Sequence, residues 1–84
     1  MNWYESPTLK YLTSVEFGYN SIHDFDIYQD VNTGEYLTLY HDDPDVPGSL
    51  AEIAECMAVS DADPRYAPQQ AQNRANLAAA GIIL

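Results

Sequence analysis

Residues 22–40, IHDFDIYQDVNTGEYLTLY, decide the fold of this chain. The first half of this stretch alternates with the period of two that is typical of a β-strand. One side carries His23, Phe25, Ile27 and Gln29, and the other carries Asp24, Asp26, Tyr28 and Asp30. Asn32-Thr33-Gly34 then supplies turn residues that tolerate positive φ, and residues 35–40 return to a β-rich composition. The stretch therefore predicts a β-hairpin with an acidic face.

Residues 8–17, TLKYLTSVEF, precede the hairpin and predict a further strand. Their alternation also has a period of two, with Lys10, Ser14 and Glu16 on the polar side. Leu12 interrupts that polar side. The expected apolar side consists of Leu9, Tyr11, Val15 and Phe17.

The hairpin is followed by a predicted loop and two predicted helices. Residues 41–48, HDDPDVPG, suit neither a helix nor a central strand, because they contain two prolines and a glycine. Ser49 and Glu52 have the capping-box spacing of a helix start, which predicts a helix over about 49–60. Pro68 and Gly81 bracket a second predicted helix over about 68–80. We therefore expect a single small α+β domain over 1–84, with a three-stranded antiparallel sheet and the order β-β-β-α-α.

The helices carry different apolar patterns. In the first, a stripe recurs at intervals of three and four residues and predicts a core-facing side: Leu50, Ile53, Ala54, Met57 and Ala58. The second has an alanine face, which we expect to pack against the first helix or a second copy of the chain: Ala67, Ala71, Ala75, Ala78 and Ala79. The apolar end, residues 82–84, either docks on the sheet or forms a contact patch.

Charge excludes several classes of partner. With 13 Asp or Glu against 3 Lys or Arg, the formal net charge is −10. Nucleic-acid binding needs cations that neutralise phosphates, so we expect no direct DNA or RNA partner. Anionic membranes repel such a chain, and no apolar run reaches the roughly 20 residues of a spanning helix. The lone Cys56 allows no internal disulfide, and we expect a cytoplasmic protein.

The negative charge is concentrated in one part of the chain. Between Tyr11 and Pro64 there are 12 carboxylates and no Lys or Arg, whereas ordinary soluble surfaces mix both signs. Neighbouring carboxylates on the second strand are spaced by about 6.6–6.8 Å, which approximates two axial phosphate steps of a DNA strand. Further carboxylates lie in the predicted loop and in the turn of Asp61 and Asp63.

This acidic surface is the candidate binding site. Its carboxylates would meet Arg and Lys of a basic partner, and the aromatic ring among them would serve as an anchor. A solvated acidic surface without a partner is the alternative interpretation. The proposed partner-binding residues are Asp24, Asp26, Tyr28, Asp30, Glu35, Asp42, Asp43 and Asp45.

Chemical sites are less well supported by the sequence. If the hairpin places His23 opposite His41, the neighbouring aspartates complete a possible metal site, but the spacing matches no strong metal motif. Cys56 fits a small buried thiol better than a nucleophile. No phosphate-binding glycine loop is present. We therefore expect neither enzymatic activity, nor a cofactor, nor a metal.

In size, charge and absence of catalytic motifs, the chain resembles small phage-encoded antagonists of host defence, such as anti-CRISPR, anti-restriction and uracil-DNA glycosylase inhibitor proteins. The resemblance is to a class and covers no aligned motif. It implies an inhibitor, encoded by a phage or mobile element, that occupies the basic nucleic-acid-binding cleft of a nuclease, CRISPR effector or similar protein in the host cytoplasm. The alternative is a small dimeric adaptor that uses its alanine-rich helix and apolar C-terminus.

Overall fold

The computed structural model describes residues 8–17 and 24–84. Four antiparallel strands in the order β1-β2-β3-β4 form one sheet, which is followed by two α-helices. The predicted α+β class, with an antiparallel sheet followed by two helices, is confirmed. The elements are β1 (Leu9–Val15), β2 (Phe25–Asp30), β3 (Tyr36–Tyr40), β4 (Asp43–Pro47), α1 (Leu50–Asp61), a short 3-10 helix (Pro64–Tyr66) and α2 (Ala67–Ala79).

The predicted hairpin is formed by β2 and β3, with pairs such as Ile27 opposite Thr38. Its loop covers residues 31–34, and the Gly34 N–H donates to the Asp30 carbonyl at 2.8 Å. Gly34 has a φ of +77°, a left-handed conformation that glycine adopts without steric cost. The turn chemistry in the sequence therefore locates this hairpin correctly.

The predicted loop over 41–48 contains a fourth strand, β4, so the three-stranded prediction is wrong by one strand. Leu39 pairs with Pro47, and Tyr40 pairs with Asp43. The register is therefore irregular, because two adjacent residues of β3 pair with residues of β4 that are four positions apart. This irregular strand lies at the edge of the sheet. Proline is tolerated there because an edge strand leaves one side of its backbone unpaired.

A bulge in β1 changes the predicted faces of that strand. Tyr11 pairs with Tyr28 and Thr13 pairs with Ile27, so Leu12 is the extra residue. Because side chains alternate along a strand, one extra residue transfers the preceding side chains to the other face. Leu12 packs against the core, while Tyr11 is 53% exposed. The expectation that Tyr11 shares a face with Val15 and Phe17 is therefore wrong.

The core lies between one face of the sheet and the two helices. Phe25 and Ile27 of β2 are completely buried, as is Ile53 of α1. These side chains belong to one apolar cluster, whose other members are Val15, Phe17, Cys56, Met57, Leu77 and Ile82. Cys56 is free and buried, as the sequence predicts.

The start of α1 confirms the predicted cap. Ser49 Oγ accepts from the Glu52 backbone N–H at 3.1 Å, which satisfies one of the free amides of the first turn. The Tyr40 hydroxyl donates to the Glu52 carboxylate and so joins β3 to the helix. This hydrogen bond is the largest contribution that raises the pKa of Tyr40 to about 12, followed by desolvation.

Helix α2 exposes its alanines and buries polar residues, contrary to the expected alanine contact. All five alanines of the predicted face are exposed, whereas Gln70, Asn73 and Leu77 are buried. The Gln70 side-chain amide donates to the Met57 carbonyl and to Asp61 Oδ1, both at 2.9 Å. The inward face of this helix therefore forms hydrogen bonds to neighbouring polar groups. An alanine side chain cannot form such bonds.

Gly81 ends α2 as predicted. It has a φ of +74°, and its N–H donates to the Ala78 carbonyl at 3.0 Å. The Ile82 N–H donates to the Leu77 carbonyl at 2.9 Å, which completes a Schellman motif and directs Ile82 into the core. Among the described residues, neither helix has the length and apolarity needed to cross a membrane.

Candidate protein-binding face

The carboxylates of β2 lie on the side of the sheet away from the core, as the alternation predicts. Phe25 and Ile27 are buried, while the residues between and around them are partly exposed. We call the surface formed by Asp24, Asp26, Tyr28 and Asp30 the acidic face. From Asp24 to Asp30 it extends along the strand direction for about 20 Å.

Asp26 is the centre of a hydrogen-bonded chain on this face. Ser14 Oγ donates to Asp26 Oδ1 at 2.6 Å, and Tyr11 Oη lies 2.6 Å from Ser14 Oγ. Because the single serine proton is directed to the carboxylate, the Tyr11 hydroxyl is the donor in the second bond. His41 Nδ1 lies 3.0 Å from Asp26 Oδ2. Side chains from β1, β2 and the β3–β4 turn are thus connected through one carboxylate.

His41 is exposed but electrostatically coupled to the acidic face. The hydrogen bond to Asp26 is the main cause that raises the pKa of the His41 imidazole, and the charge of Asp26 adds to it. Desolvation opposes this shift, while the charges of Asp42 and Asp24 raise the pKa further. This end of the acidic face is therefore a place where protonation of one imidazole changes the local charge.

Asp24 and Asp30 have structural roles in addition to their charge. Asp24 Oδ1 accepts from the Phe17 backbone N–H at 3.0 Å. Because Phe17 lies two positions after the end of β1, this bond fixes the chain where it leaves the strand. Asp30 Oδ1 accepts from the Asn32 backbone N–H at 2.8 Å, as in an Asx turn. An ionised carboxylate has about four acceptor sites, so both retain capacity for a partner.

The remaining predicted carboxylates lie in three places. Glu35 follows the hairpin loop, where its backbone carbonyl accepts from the Asp30 N–H at 2.9 Å. Asp42 lies in the β3–β4 turn beside His41, and Asp43 and Asp45 lie on edge strand β4. All four side chains are exposed. The carboxylates of the predicted site therefore do not form one continuous row. They are divided between the two ends of the β2–β3 hairpin and the neighbouring edge strand β4.

The turn after α1 is not an uncompensated part of this surface. Arg74 of α2 pairs with Asp61, and Arg65 Nη2 lies 2.6 Å from Asp63 Oδ2. These guanidinium hydrogen bonds lower the pKa values of both aspartates. Two of the 12 carboxylates counted along the chain are thus paired with cations: Asp61 through a tertiary contact, and Asp63 through a residue two positions further along. No Lys or Arg of the described residues forms a salt bridge with the eight predicted site residues.

Tyr28 lies on the acidic face in contact with Tyr11. Their ring centroids are 5.6 Å apart, with an edge-to-face interplanar angle of 70°. The register places Leu37 opposite Tyr28 and Leu39 opposite Asp26, so aliphatic side chains adjoin the carboxylates. Leu39 is only 1% exposed although it lies outside the core cluster. The charges of this face therefore lie beside an aromatic pair and the half-buried Leu37, whereas Leu39 is not accessible to a partner.

The predicted meeting of His23 and His41 falls partly outside the described residues, because His23 is not among them. Within residues 8–17 and 24–84, no three His, Cys, Asp or Glu side chains are arranged to hold a metal ion. His41 instead contacts Asp26 through a hydrogen bond.

Sequence reasoning missed Tyr11, Ser14 and His41 as members of this face. Ser14 was correctly placed on the polar side of β1, but Tyr11 was assigned to the core side. The signal was Leu12, which interrupts the polar pattern at the position of the bulge. His41 is brought to Asp26 by the backbone bond from its N–H to the Asp24 carbonyl, at 2.8 Å.

Comparisons with models of known protein families, with curated protein sequences and with solved protein structures found no match to this chain.

Proposed function

We propose that this protein is an acidic inhibitor that occupies the basic nucleic-acid-binding cleft of a target protein. The observation that carries the proposal is that no described Lys or Arg pairs with any of the site's seven carboxylates, which are Asp24, Asp26 and Asp30 of the acidic face together with Glu35, Asp42, Asp43 and Asp45. Two of the chain's three cations, Arg65 and Arg74, bond to other carboxylates. A basic cleft that normally binds phosphates has complementary charge for this face.

A rigid strand is a suitable support for such a decoy. Its three carboxylates, two and four residues apart, are already oriented by hydrogen bonds from Phe17, Ser14 and Asn32. Fewer side chains must therefore be ordered when the target binds, which reduces the entropy cost of association. The Tyr11–Tyr28 pair adds an aromatic surface of the type enriched at binding hot spots.

The proposal is tested by capturing partners from a panel of nucleases, CRISPR effectors and other nucleic-acid enzymes. The first variant replaces four exposed carboxylates that have no side-chain bond in the described part of the chain: Glu35→Gln, Asp42→Asn, Asp43→Asn and Asp45→Asn. These changes spare the Asp24 and Asp30 hydrogen bonds. We expect the wild-type chain to capture a basic target and inhibit its nucleic-acid binding, and the quadruple variant to lose both properties.

Matched control variants distinguish binding through this local site from an effect of the total charge of the chain. Asp43→Asn and Glu55→Gln each remove one exposed charge, but only Asp43 lies in the proposed site. The former should weaken binding more than the latter. Affinity should also fall steeply between about 0.05 and 0.5 M salt, because screening weakens exposed charge interactions. An unchanged partner list with the quadruple variant, or equal effects of the two single changes, would contradict the proposal.

A second candidate function is a dimeric adaptor, favoured by one apolar surface. A cleft of about 450 Å³ lies between α1 and α2, with Leu77, Ile83 and Leu84 among its lining. Ile83 is 93% exposed, and the alanines of α2 are exposed nearby. Sedimentation velocity tests this candidate: an apolar dimer should persist in high salt and dissociate on Ile83→Asp, whereas a concentration-independent monomer excludes it.

A further inference from the structure

A second cleft, on the other side of α2, adjoins the acidic face. It has a volume of about 450 Å³ and lies between β1 and α2. One wall is formed by Tyr11, Leu12, Thr13, Ser14 and Glu16, and the other by Gln69, Gln72, Asn73 and Asn76. We call this space the amide cleft.

The four amides lie at intervals of three and four residues, so they share one side of the helix. Two of them already bond to extended backbone. Asn73 Nδ2 donates to the Glu16 carbonyl at 2.8 Å, and Asn73 Oδ1 accepts from the Glu16 N–H at 3.1 Å. Asn76 Nδ2 donates to the Ser14 carbonyl at 3.2 Å. This side of α2 is therefore chemically matched to a β-strand backbone.

The two glutamines, of which Gln69 is half-buried and Gln72 exposed, retain donors and acceptors for a ligand. Gln72 Nε2 donates to Asn76 Oδ1 at 2.8 Å, and Gln69 Nε2 donates to Asn73 Oδ1 at 3.1 Å. Each glutamine still has its oxygen and one N–H available, since an amide provides two donors and an acceptor oxygen. Residues four apart on a helix are separated by about 6 Å along the axis, close to the 6.6–6.8 Å repeat of an extended peptide.

The outer edge of β1, which leads into the strand wall, also has backbone groups without a partner among the described residues. The Val31 N–H donates to the Thr8 carbonyl at 2.9 Å, so Thr8 faces β2. Alternation then directs the backbone groups of Leu9 and Tyr11 to the outer edge of β1. Across residues 8–17 and 24–84, no backbone bond to these outward groups is present. Helix α2 bonds further along, at Ser14 and Glu16, so within the described residues this half of the edge has the unpaired backbone groups that strand addition uses.

Charge selects the ligand. Glu16 is exposed in the cleft, no Lys or Arg lines it, and Ser14 of its wall donates to Asp26 of the neighbouring acidic face. We infer that the amide cleft binds an extended peptide segment carrying Lys or Arg, with its backbone held by the edge of β1 and the amides of α2. This inference deepens the proposed function and rests on it only for the origin of the segment, a basic loop or tail of the target protein.

The test uses the full chain, labelled with ¹⁵N, and two pools of synthetic octapeptides. The pools differ only in having Arg or Glu at two alternate positions. We expect the Arg pool to shift the side-chain amide signals of Gln69, Gln72 and Asn76 and the backbone signal of Tyr11, and the Glu pool to leave them unchanged. Equal effects of both pools, no shifts, or shifts confined to the cleft beside Ile83 would overturn the inference.

Individual binding peptides then test the mechanism. Gln72→Ala should weaken binding about fivefold, the effect of losing one hydrogen bond of ordinary strength. Asn32→Ala, which truncates an exposed amide in the hairpin loop, should leave affinity unchanged. N-methylation of alternate peptide bonds should abolish binding if the backbone is recognised, and unchanged binding would overturn the inference.

The two proposals fail in distinguishable ways. If the acidic face inhibits a target but Gln72→Ala changes neither target nor peptide binding, the amide cleft is excluded and the proposed function stands. If Arg peptides bind the cleft as expected but the quadruple carboxylate variant still captures every target, the proposed function is excluded and the peptide site stands.

Discussion

The side-chain amide of Asn73 pairs with both backbone groups of Glu16, as an adjoining β-strand would. Asn73 is completely buried, and two further bonds, from Gln69 and to Gln70, satisfy its remaining capacity. A helix side chain thus closes part of the outer edge of β1. This contact also orients α2 so that its other amides line the cleft beside the acidic face.

Asn73→Ala should destabilise the fold by about 2–3 kcal/mol, because it leaves the partly buried N–H and carbonyl of Glu16 without their partner. Urea denaturation followed by circular dichroism measures this change. Gln72→Ala on the same helix is the matched control and should change stability by less than about 0.5 kcal/mol, since Gln72 is exposed. Similar losses in the two variants would contradict the assigned role of Asn73.

The His41–Asp26 contact should make stability depend on pH. The folded-state pKa of His41 is raised above its ordinary value of 6.5, chiefly by the hydrogen bond to Asp26. Its contribution is therefore complete below about pH 6.5 and is lost as the pH rises through the raised folded-state value. His41→Gln should lower stability by about 0.2–1 kcal/mol near pH 5.5, because the pair is exposed, and by less near pH 9.

Thermal denaturation at both pH values measures this difference. Asp26→Asn is the companion variant, since it removes the carboxylate and should return the pKa of His41 towards 6.5 in an NMR titration. A stability difference between wild type and His41→Gln that is the same at both pH values would contradict the interpretation.

Gly81→Ala should destabilise the protein by about 1 kcal/mol, because a side chain disfavours the φ of +74° at this position. An added Cβ meets nothing within 4 Å, so the effect comes from backbone conformation rather than from a clash. Gly81→Asn should cost less, since asparagine tolerates the left-handed region better than alanine. Chemical denaturation tests the order, and an alanine variant as stable as wild type would exclude a role for this helix end.

Tyr40→Phe should lower stability by about 1–2 kcal/mol, because the ring packing on Phe25 is retained while the hydrogen bond to Glu52 is lost. Tyr36→Phe is the control, an exposed tyrosine on the same strand. A double-mutant cycle with Glu52→Gln measures the coupling between the two side chains. A coupling energy of zero would show that the contact contributes nothing to stability.

Much of the fold follows from short-range patterns. The hairpin is predictable because its alternation and the Asn32-Thr33-Gly34 turn agree on one register. The helix starting after Ser49 is predictable because its cap is formed by neighbours in sequence. The sequence did not predict β4 because a strand that contains prolines is tolerated mainly at the edge of a sheet. Which segment forms that edge is decided by the tertiary structure.

The sequence predicted which side of β2 carries the carboxylates, but not how the residues of the candidate site are arranged. The alternation of β2 correctly assigned Asp26 and Tyr28 to the side away from the core. It did not indicate that Arg74 would pair with Asp61, because that ion pair joins residues 13 positions apart in two helices. Nor did it indicate that the hairpin divides the remaining carboxylates between its two ends.

The sequence by itself determined the secondary-structure class, the hairpin, both helices and the excess of negative charge, since each depends on composition or on residues close together in the chain. Tertiary structure decided which side of α2 is buried. An alanine face suggested close helix packing, but the unpaired edge of β1 and the Met57 carbonyl require hydrogen-bond donors, and Asn73 and Gln70 provide them. Buried polar groups must be satisfied, and the amides of Asn73 and Gln70 have partners on the inward side, so α2 turns these amides inward and leaves its alanines exposed.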